Sequence, residues 1–376
     1  VYYDSGDNYQ PRLAFTFDPF ADGRSKVYGS FGRYYLPIAT NTNIRLGGAE
    51  LDYDQLYLLN GLNSDNTPIL GSPIAAASCP AGVAGNNCTL RSDGSVAPLD
   101  TVVSANLQNQ SVDEYIVGVE QRVGSGWKFG LYGTYRNLNA SLEDSAIDQG
   151  ILIYCQQNNI TDCGGGNYFG AAQYALNNPG EPITIVPLYA LDGSFDPITL
   201  TPDQLGYPAA SRDYKAATFT FEREYDGVWS LQGSYTYSFN EGNIEGGVKS
   251  DNGQTDTGLA TDFDFPSLTV GSFGYLPNDR RHNFKIYGSY SPTEWLTLGA
   301  NAIVVSPRKF GCIGRVADSV SSPALIRAGE SLDYGYAYGA EGHFCVVDGN
   351  GDIVTNPSVT NIDRTVVRRG TAFESE

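Results

Sequence analysis

The chain has 376 residues, a formal net charge of −19, and 26 tyrosines and 44 glycines against only 17% charged residues. That acidity excludes a basic nucleic-acid groove and disfavours simple adsorption to anionic lipid. No apolar run approaches the ~18 residues of a membrane-spanning helix, and the Tyr-, Gly-, Asn- and Ser-rich make-up is that of β-rich envelope proteins, unlike a cytosolic enzyme. A closed barrel needs no such helix, because neighbouring strands satisfy every backbone group. The chain starts at Val1 and contains no Met, so it is read as a piece of a longer polypeptide.

Residues 11–20 place Leu13, Phe15 and Phe17 on one face and Arg12, Ala14 and Thr16 on the other. Ala21-Asp22-Gly23-Arg24 turns the chain, and residues 26–36 return as a strand rich in Gly and aromatics. Residues 37–110 break period and are expected to be a long irregular loop. Residues 112–123 form the next strand, Gly124-Ser125-Gly126 a tight turn, and residues 127–138 its partner. A second irregular stretch covers residues 139–211.

Residues 212–240 hold the clearest hairpin. Ser230, Gln232, Ser234, Thr236 and Ser238 alternate with Leu231, Gly233, Tyr235, Tyr237 and Phe239, which is the period of a strand. Ala217, Phe219 and Phe221 repeat the pattern before the turn Glu224-Tyr225-Asp226-Gly227. A third connection, residues 241–278, is acidic early, with Asp251, Asp256, Asp262 and Asp264. Residues 282–291 and 295–306 pair across Pro292-Thr293-Glu294. Residues 307–362 form a fourth long connection, and residues 363–373 read as a strand beginning.

The polarity of the faces decides between two fold classes. A soluble sandwich turns aliphatic side chains inward and Lys and Glu outward. Here one face is Ser, Thr and Gln, and the other is apolar and ends in aromatic rings. Short turns alternate with long loops four times, on strands close to the ~9–11 residues that cross a tilted barrel wall. The expected class is all-β, a segment of a large antiparallel transmembrane β-barrel, in the outer membrane of a Gram-negative bacterium. Residues 1–376 are read as one stretch of a single barrel domain.

On these residues the chain resembles the TonB-dependent outer-membrane receptors, specifically the Oar-like group. The matching stretches are PRLAFTFDPFADGRSKVYGSFGRYYLPIA (11–39), DEYIVGVEQRV (113–123), WKFGLYGTYRNL (127–138), WSLQGSYTYSFNEGN (229–243) and LPNDRRHNFKIYGSY (276–290). They cover the hairpins and not the loops. The resemblance implies a barrel of about 22 strands around a plug. It also implies that the plug, the energy-coupling motif and the terminal strands lie outside this sequence.

Six cysteines sit in loop-like sequence. Cys79 and Cys88 are local neighbours, as are Cys155 and Cys163, whereas Cys312 and Cys345 flank a longer stretch. Local pairing is the simplest of the 15 connectivities and implies an oxidising compartment. Asp279, Arg280, Arg281 and His282 are expected to form a salt-bridge cluster at the barrel rim, with contact to substrate as the alternative. Trp127, Trp229 and Trp295, each beside a short turn, are expected to anchor the turn-side membrane interface, with Tyr235, Tyr237 and Phe239 as further interface aromatics. Lys128, Gln232 and Lys285 face the lumen and either line a path or pack against the plug. Asp348, Asn350 and Asp352 are weak calcium candidates, because Val359 stands where the bidentate Glu of an EF-hand loop belongs. The acidic loop from Asp251 to Asp264 reads first as solvated charge.

No nucleophile–base arrangement is persuasive with two histidines, so no catalytic residue and no enzyme is read. No cofactor is expected beyond Ca2+ in an acidic loop. The leading function is TonB-dependent uptake or export of a substrate through a plugged barrel. The expected partners are the bilayer, lipopolysaccharide and TonB through the plug, with no nucleic acid. The alternative is a structural or adhesive surface protein whose stapled loops bind a neighbour.

Overall fold

The computed structural model describes residues 8–38, 42, 51–75, 79–164, 173–250, 261–315, 341–345, 365–366 and 373–374. Eight long strands run β1 Arg12–Phe17, β2 Ser25–Tyr35, β3 Ser111–Val123, β4 Trp127–Ala140, β5 Arg212–Arg223, β6 Trp229–Gly242, β7 His282–Thr293 and β8 Leu296–Val305. Each pairs antiparallel with its neighbour in sequence, so the sheet is a simple meander. Among the described residues β1 pairs only with β2 and β8 only with β7, so the sheet is not closed. The eight expected strands before residue 307 all form, with ends displaced by at most three residues.

Short turns are built by glycine and aspartate. Gly124 and Gly126 adopt φ of 59° and 88° between β3 and β4, a region that other residues enter at a cost. Between β5 and β6, Gly227 turns at φ 97°. There the Asp226 carboxylate accepts the backbone N–H of Val228 at 2.9 Å and of Trp229 at 3.0 Å, which is an Asx-type turn.

The sheet has inverted polarity. Thr218 is 4% exposed, whereas Phe219 beside it is 41% exposed. On the polar face Thr218 meets Thr236 hydroxyl to hydroxyl at 2.9 Å, and Ser230 meets Ser289 at 2.8 Å. The apolar face leaves Val117, Val119, Leu131, Tyr235 and Tyr237 uncovered.

The connections differ from the expectation of irregular loops. The chain divides into two units, residues 1–3 with 40–99, and residues 4–39 with 100–376. Within the first, Leu51–Gln55 pairs with Cys88–Asp93 and Tyr57–Leu62 with Pro68–Pro73. The Cys79–Cys88 disulfide closes this unit. Leu58, Leu59, Leu62 and Leu70 of its second ladder are all exposed.

In the second unit the described part of the stretch 139–211 folds as a cap with its own core. Helix α1, Asp148–Gln157, packs among two short ladders, Glu143–Ala146 with Tyr174–Asn177 and Ile183–Ile185 with Ile198–Leu200. Ile147, Ile151, Ile183, Ile185 and Leu200 are buried there, joined by Ile244 and Phe263 from the next connection. Full burial of each such side chain contributes about 1.5–3 kcal/mol, so this is where the hydrophobic effect acts between protein groups. The Cys155–Cys163 disulfide staples the end of α1. Cys312 is also disulfide-bonded, and the side chain of Cys345 lies outside the described residues.

Two buried amides and a phenol tie the cap together. Gln173 donates to Thr101 O at 2.7 Å and Val186 O at 2.9 Å and accepts from Leu188 N at 2.7 Å. Asn243, at the top of β6, accepts from Ser211 N at 2.7 Å and donates to Ala209 O at 2.8 Å. The Tyr207 hydroxyl donates toward Ala146 O at 2.9 Å and Asp264 O at 3.0 Å. Of the expected terminal strand, the described parts are Thr365–Val366, which pairs with Phe344–Cys345, and Phe373–Glu374, which pairs with Lys309–Phe310. They join loop segments, and the sheet edge is not extended by them.

Two outcomes follow from the cap core. Ile151→Ala should destabilise the cap by about 2–5 kcal/mol. Amide exchange should rise across the described part of residues 139–211, while the sheet amides keep their protection. Burial, then the nearby Asp264 charge, pushes the Tyr207 phenol well above its ordinary value. The neutral form is the folded one, so its contribution is full below about pH 10 and falls as pH rises past that value. Unfolding of the cap measured across that range should be less pH-dependent in Tyr207→Phe.

Candidate functional site at the loop end of the sheet

The outward face is layered from one end to the other. At the turn end Arg223 lies over Trp229 at 4.2 Å and Trp127 at 5.9 Å, and it ion-pairs with Asp226. Trp295 projects from the last turn and is 82% exposed. Phe129, Leu131, Gly133, Ala217 and Phe219 fill the middle. Phe31, Tyr115, Tyr135, Lys215 and Phe239 then stand in one register row near the loop end. The next row carries Arg33, Asp113, Asn137, Asp213 and Glu241. From Trp127 to Tyr135 the strand rises about 26 Å at ~3.3 Å per residue. At the usual tilt that is about 20 Å of height, comparable with the apolar band of a barrel. The three tryptophans thus share the turn end, and Phe239 marks the opposite one.

The inward face is polar and internally paired. Lys26 meets Glu120 at 3.3 Å and Lys128 meets Glu222 at 2.5 Å. Gln232 accepts from the Tyr287 hydroxyl at 2.5 Å. Lys285 stands opposite Ser234 and Ile303 on the same face. Near the loops this face opens into a cavity of about 800 Å3. Tyr34, Glu114, Arg136, Tyr214 and Asn240 line it. Arg136 ion-pairs with Glu114 and lies 5.7 Å from the centre of the Tyr214 ring. The sequence reading missed this group, although its members share strand parity at the loop ends of β2 to β6.

The Asn278-to-His282 run is a bulge in the ladder between β6 and β7. Gly274–Tyr275 pairs with Glu241 and Gly242, then pairing resumes at His282 opposite Tyr237. In the gap the fully buried Asp279 carboxylate accepts the backbone N–H of Asn240 at 2.7 Å. It also takes the Arg281 guanidinium at 2.8 Å. Arg281 in turn lies over the Phe239 ring at 3.8 Å and the Tyr275 ring at 4.7 Å. Arg280 donates to Ser306 O at 3.0 Å. His282 Nδ1 lies 2.7 Å from the Tyr235 hydroxyl. A side-chain carboxylate therefore replaces the ladder acceptor that the bulge removes.

The acidic connection is not solvated where it is described. Asp262 and Asp264 are buried, and the Asp262 carboxylate meets Lys249 Nζ at 2.5 Å and His343 Nε2 at 3.5 Å. The pairing accounts for the burial of Asp262, since a buried carboxylate needs a cationic partner. Asp251 and Asp256 lie outside the described residues, as do the calcium candidates Asp348, Asn350 and Asp352.

Asp279→Ala should leave the Asn240 amide and the Arg281 charge uncompensated, at a cost of about 3–5 kcal/mol. Asp279→Asn keeps an acceptor for Asn240 and should cost less. Urea unfolding of the folded full-length protein, with exchange at the Asn240 amide, separates the two.

The family model described as outer membrane beta barrel domain matches residues 1–297. The TonB-dependent transporter Oar of Myxococcus xanthus is 26% identical over 302 residues, which is 76% of this chain and 24% of that protein. The chain therefore spans about a quarter of the length of this curated relative. No solved structure matches. The outward face meets lipid, and the long connections, by the usual asymmetry of such barrels, lie on the cell exterior. The inverted sheet and the family match agree: the chain belongs to the outer membrane beta barrel domain family and resides in the outer membrane.

Proposed function

We propose that this stretch forms part of the wall and external cap of an energy-coupled transporter. The observation that carries the reading is the inward face, which is polar, ion-paired and opens into a charged cavity under the loops. A wall that merely anchored a surface protein would not need a lumen-side recess lined by Arg136, Glu114 and two tyrosines. The name of the relative, a TonB-dependent transporter, supports the same reading. Coupling to TonB would act through a plug inside the complete barrel, and uptake is the direction proposed.

A second reading rests on the exposed ladder Tyr57–Leu62 with Pro68–Pro73. Leucines presented on an external loop suit attachment to a neighbouring surface. Loss of the full-length protein and loss of TonB should leave the same solutes undepleted from the medium. Arg136→Ala should slow their uptake at least tenfold with unchanged protein in the outer membrane. Removal of residues 57–73 should leave uptake intact. If TonB loss has no effect while removal of residues 57–73 abolishes cell attachment, the transporter reading fails. Solutes accumulating inside, instead of outside, would reverse the direction.

A further inference from the structure

Three of the four long connections carry bonded cysteines. The first holds Cys79–Cys88, the second Cys155–Cys163, and the fourth Cys312. The third, residues 241–278, contains no cysteine. In place of a disulfide it sets Lys249 against Asp262, 13 positions apart, with Nζ 2.5 Å from Oδ1.

This pair is dry. The Lys249 side chain is 1% exposed and the Asp262 side chain 2%. By contrast, the lysines that pair with Glu120, Glu222 and Glu241 are each more than a third exposed. Lysine is rarely buried outright, and taking two charges out of water is costly. Asp262 lies in the short turn Thr261–Phe263, whose Phe263 enters the cap core with Ile244. An amide joining the two side chains would carry no charge and would remove that cost.

The geometry suits condensation. A nitrogen this close to one carboxyl oxygen stands near the ~3–3.5 Å attack distance from the carboxyl carbon, and partners held so react as one molecule. Position 249 is fixed through the next residue. The Ser250 N–H and hydroxyl donate to the Glu245 carboxylate at 2.5 and 2.7 Å, and Arg308 donates to the Ser250 hydroxyl oxygen at 2.9 Å. The buried His343 brings Nε2 to 3.5 Å from the same Asp262 oxygen.

We propose that Lys249 and Asp262 become joined by an intramolecular isopeptide bond. One proton passes from Nζ to the carboxylate, which turns the ion pair into an amine beside a carboxylic acid. Nζ then attacks Cγ and the bond from Cγ to the hydroxyl oxygen breaks. A second proton leaves the nitrogen, is relayed by the His343 imidazole and departs with the hydroxyl as water. Nothing is oxidised or reduced. The bond closes a ring over residues 249–262, as the disulfides do in the first two connections, and reductants do not open it. It is independent of what the lumen carries.

The test is tryptic digestion of the folded full-length protein, taken from the outer membrane, then denatured, reduced and alkylated, with mass spectrometry of the products. Cleavage after Arg223 and Arg280 should release one peptide, residues 224–280, uncut after Lys249 and lighter than its sequence by one water. Lys249→Arg, which keeps the charge pair, and Asp262→Ala should each give a 224–280 region of full mass, with Asp262→Ala cut after Lys249. His343→Gln should delay the loss of water at least tenfold during refolding in detergent. Separate peptides 224–249 and 250–280 from the wild-type protein, or an uncut peptide of full mass, overturn the proposal. That digest decides alone if the variants do not fold, and an undelayed His343→Gln overturns the relay.

Discussion

Lateral hydrogen bonding between neighbouring strands is the constraint on which everything else in this protein rests. A backbone group facing hydrocarbon has no water to turn to, and each unpaired one costs several kcal/mol. The meander from β1 to β8 meets that demand strand by strand. Where it is interrupted, between Tyr275 and His282, a buried carboxylate supplies the missing acceptor. Side chains are then free to reverse the usual arrangement. Rings and aliphatic groups face out, and hydroxyls, amides and ion pairs face in.

The same chain obeys a second, ordinary logic above the sheet. There Ile147, Ile151, Leu200 and Phe263 are buried against each other, and the polar groups of Gln173 and Tyr207 that enter this region are hydrogen-bonded. Asn243 and Ser211 form the seam between the two regimes, since their mutual bonds sit where β5 begins and β6 ends. The cap is thereby held to the strand ends by backbone-like bonds.

The sheet was legible because strand periodicity survives a reversal of polarity. Alternation in residues 230–239 reads the same whichever face is buried. The cap was not legible for the same reason in reverse. Its ladders are three or four residues long, too short for alternation to register, and its ten-residue helix carries Ile151, Leu152 and Tyr154 among Gly150, Gln156 and Gln157 without a clear stripe. In the Asp279-to-His282 run only Asp279 and Arg281 pair with each other, and the bulge was not legible, because a missing ladder bond leaves no mark in composition. The lumen cavity needed registers across five strands, which sequence spacing within one hairpin does not provide.

The two described disulfides bear on how such a protein is made. Each joins cysteines separated by only nine or eight positions, inside a single connection between strands. Neither ties one hairpin to another. These two bonds therefore leave no cross-link between hairpins that would stop them from being handed over one at a time during biogenesis. At both places the insertion machinery can receive a polypeptide that is already oxidised, through a passage wide enough for a small closed ring.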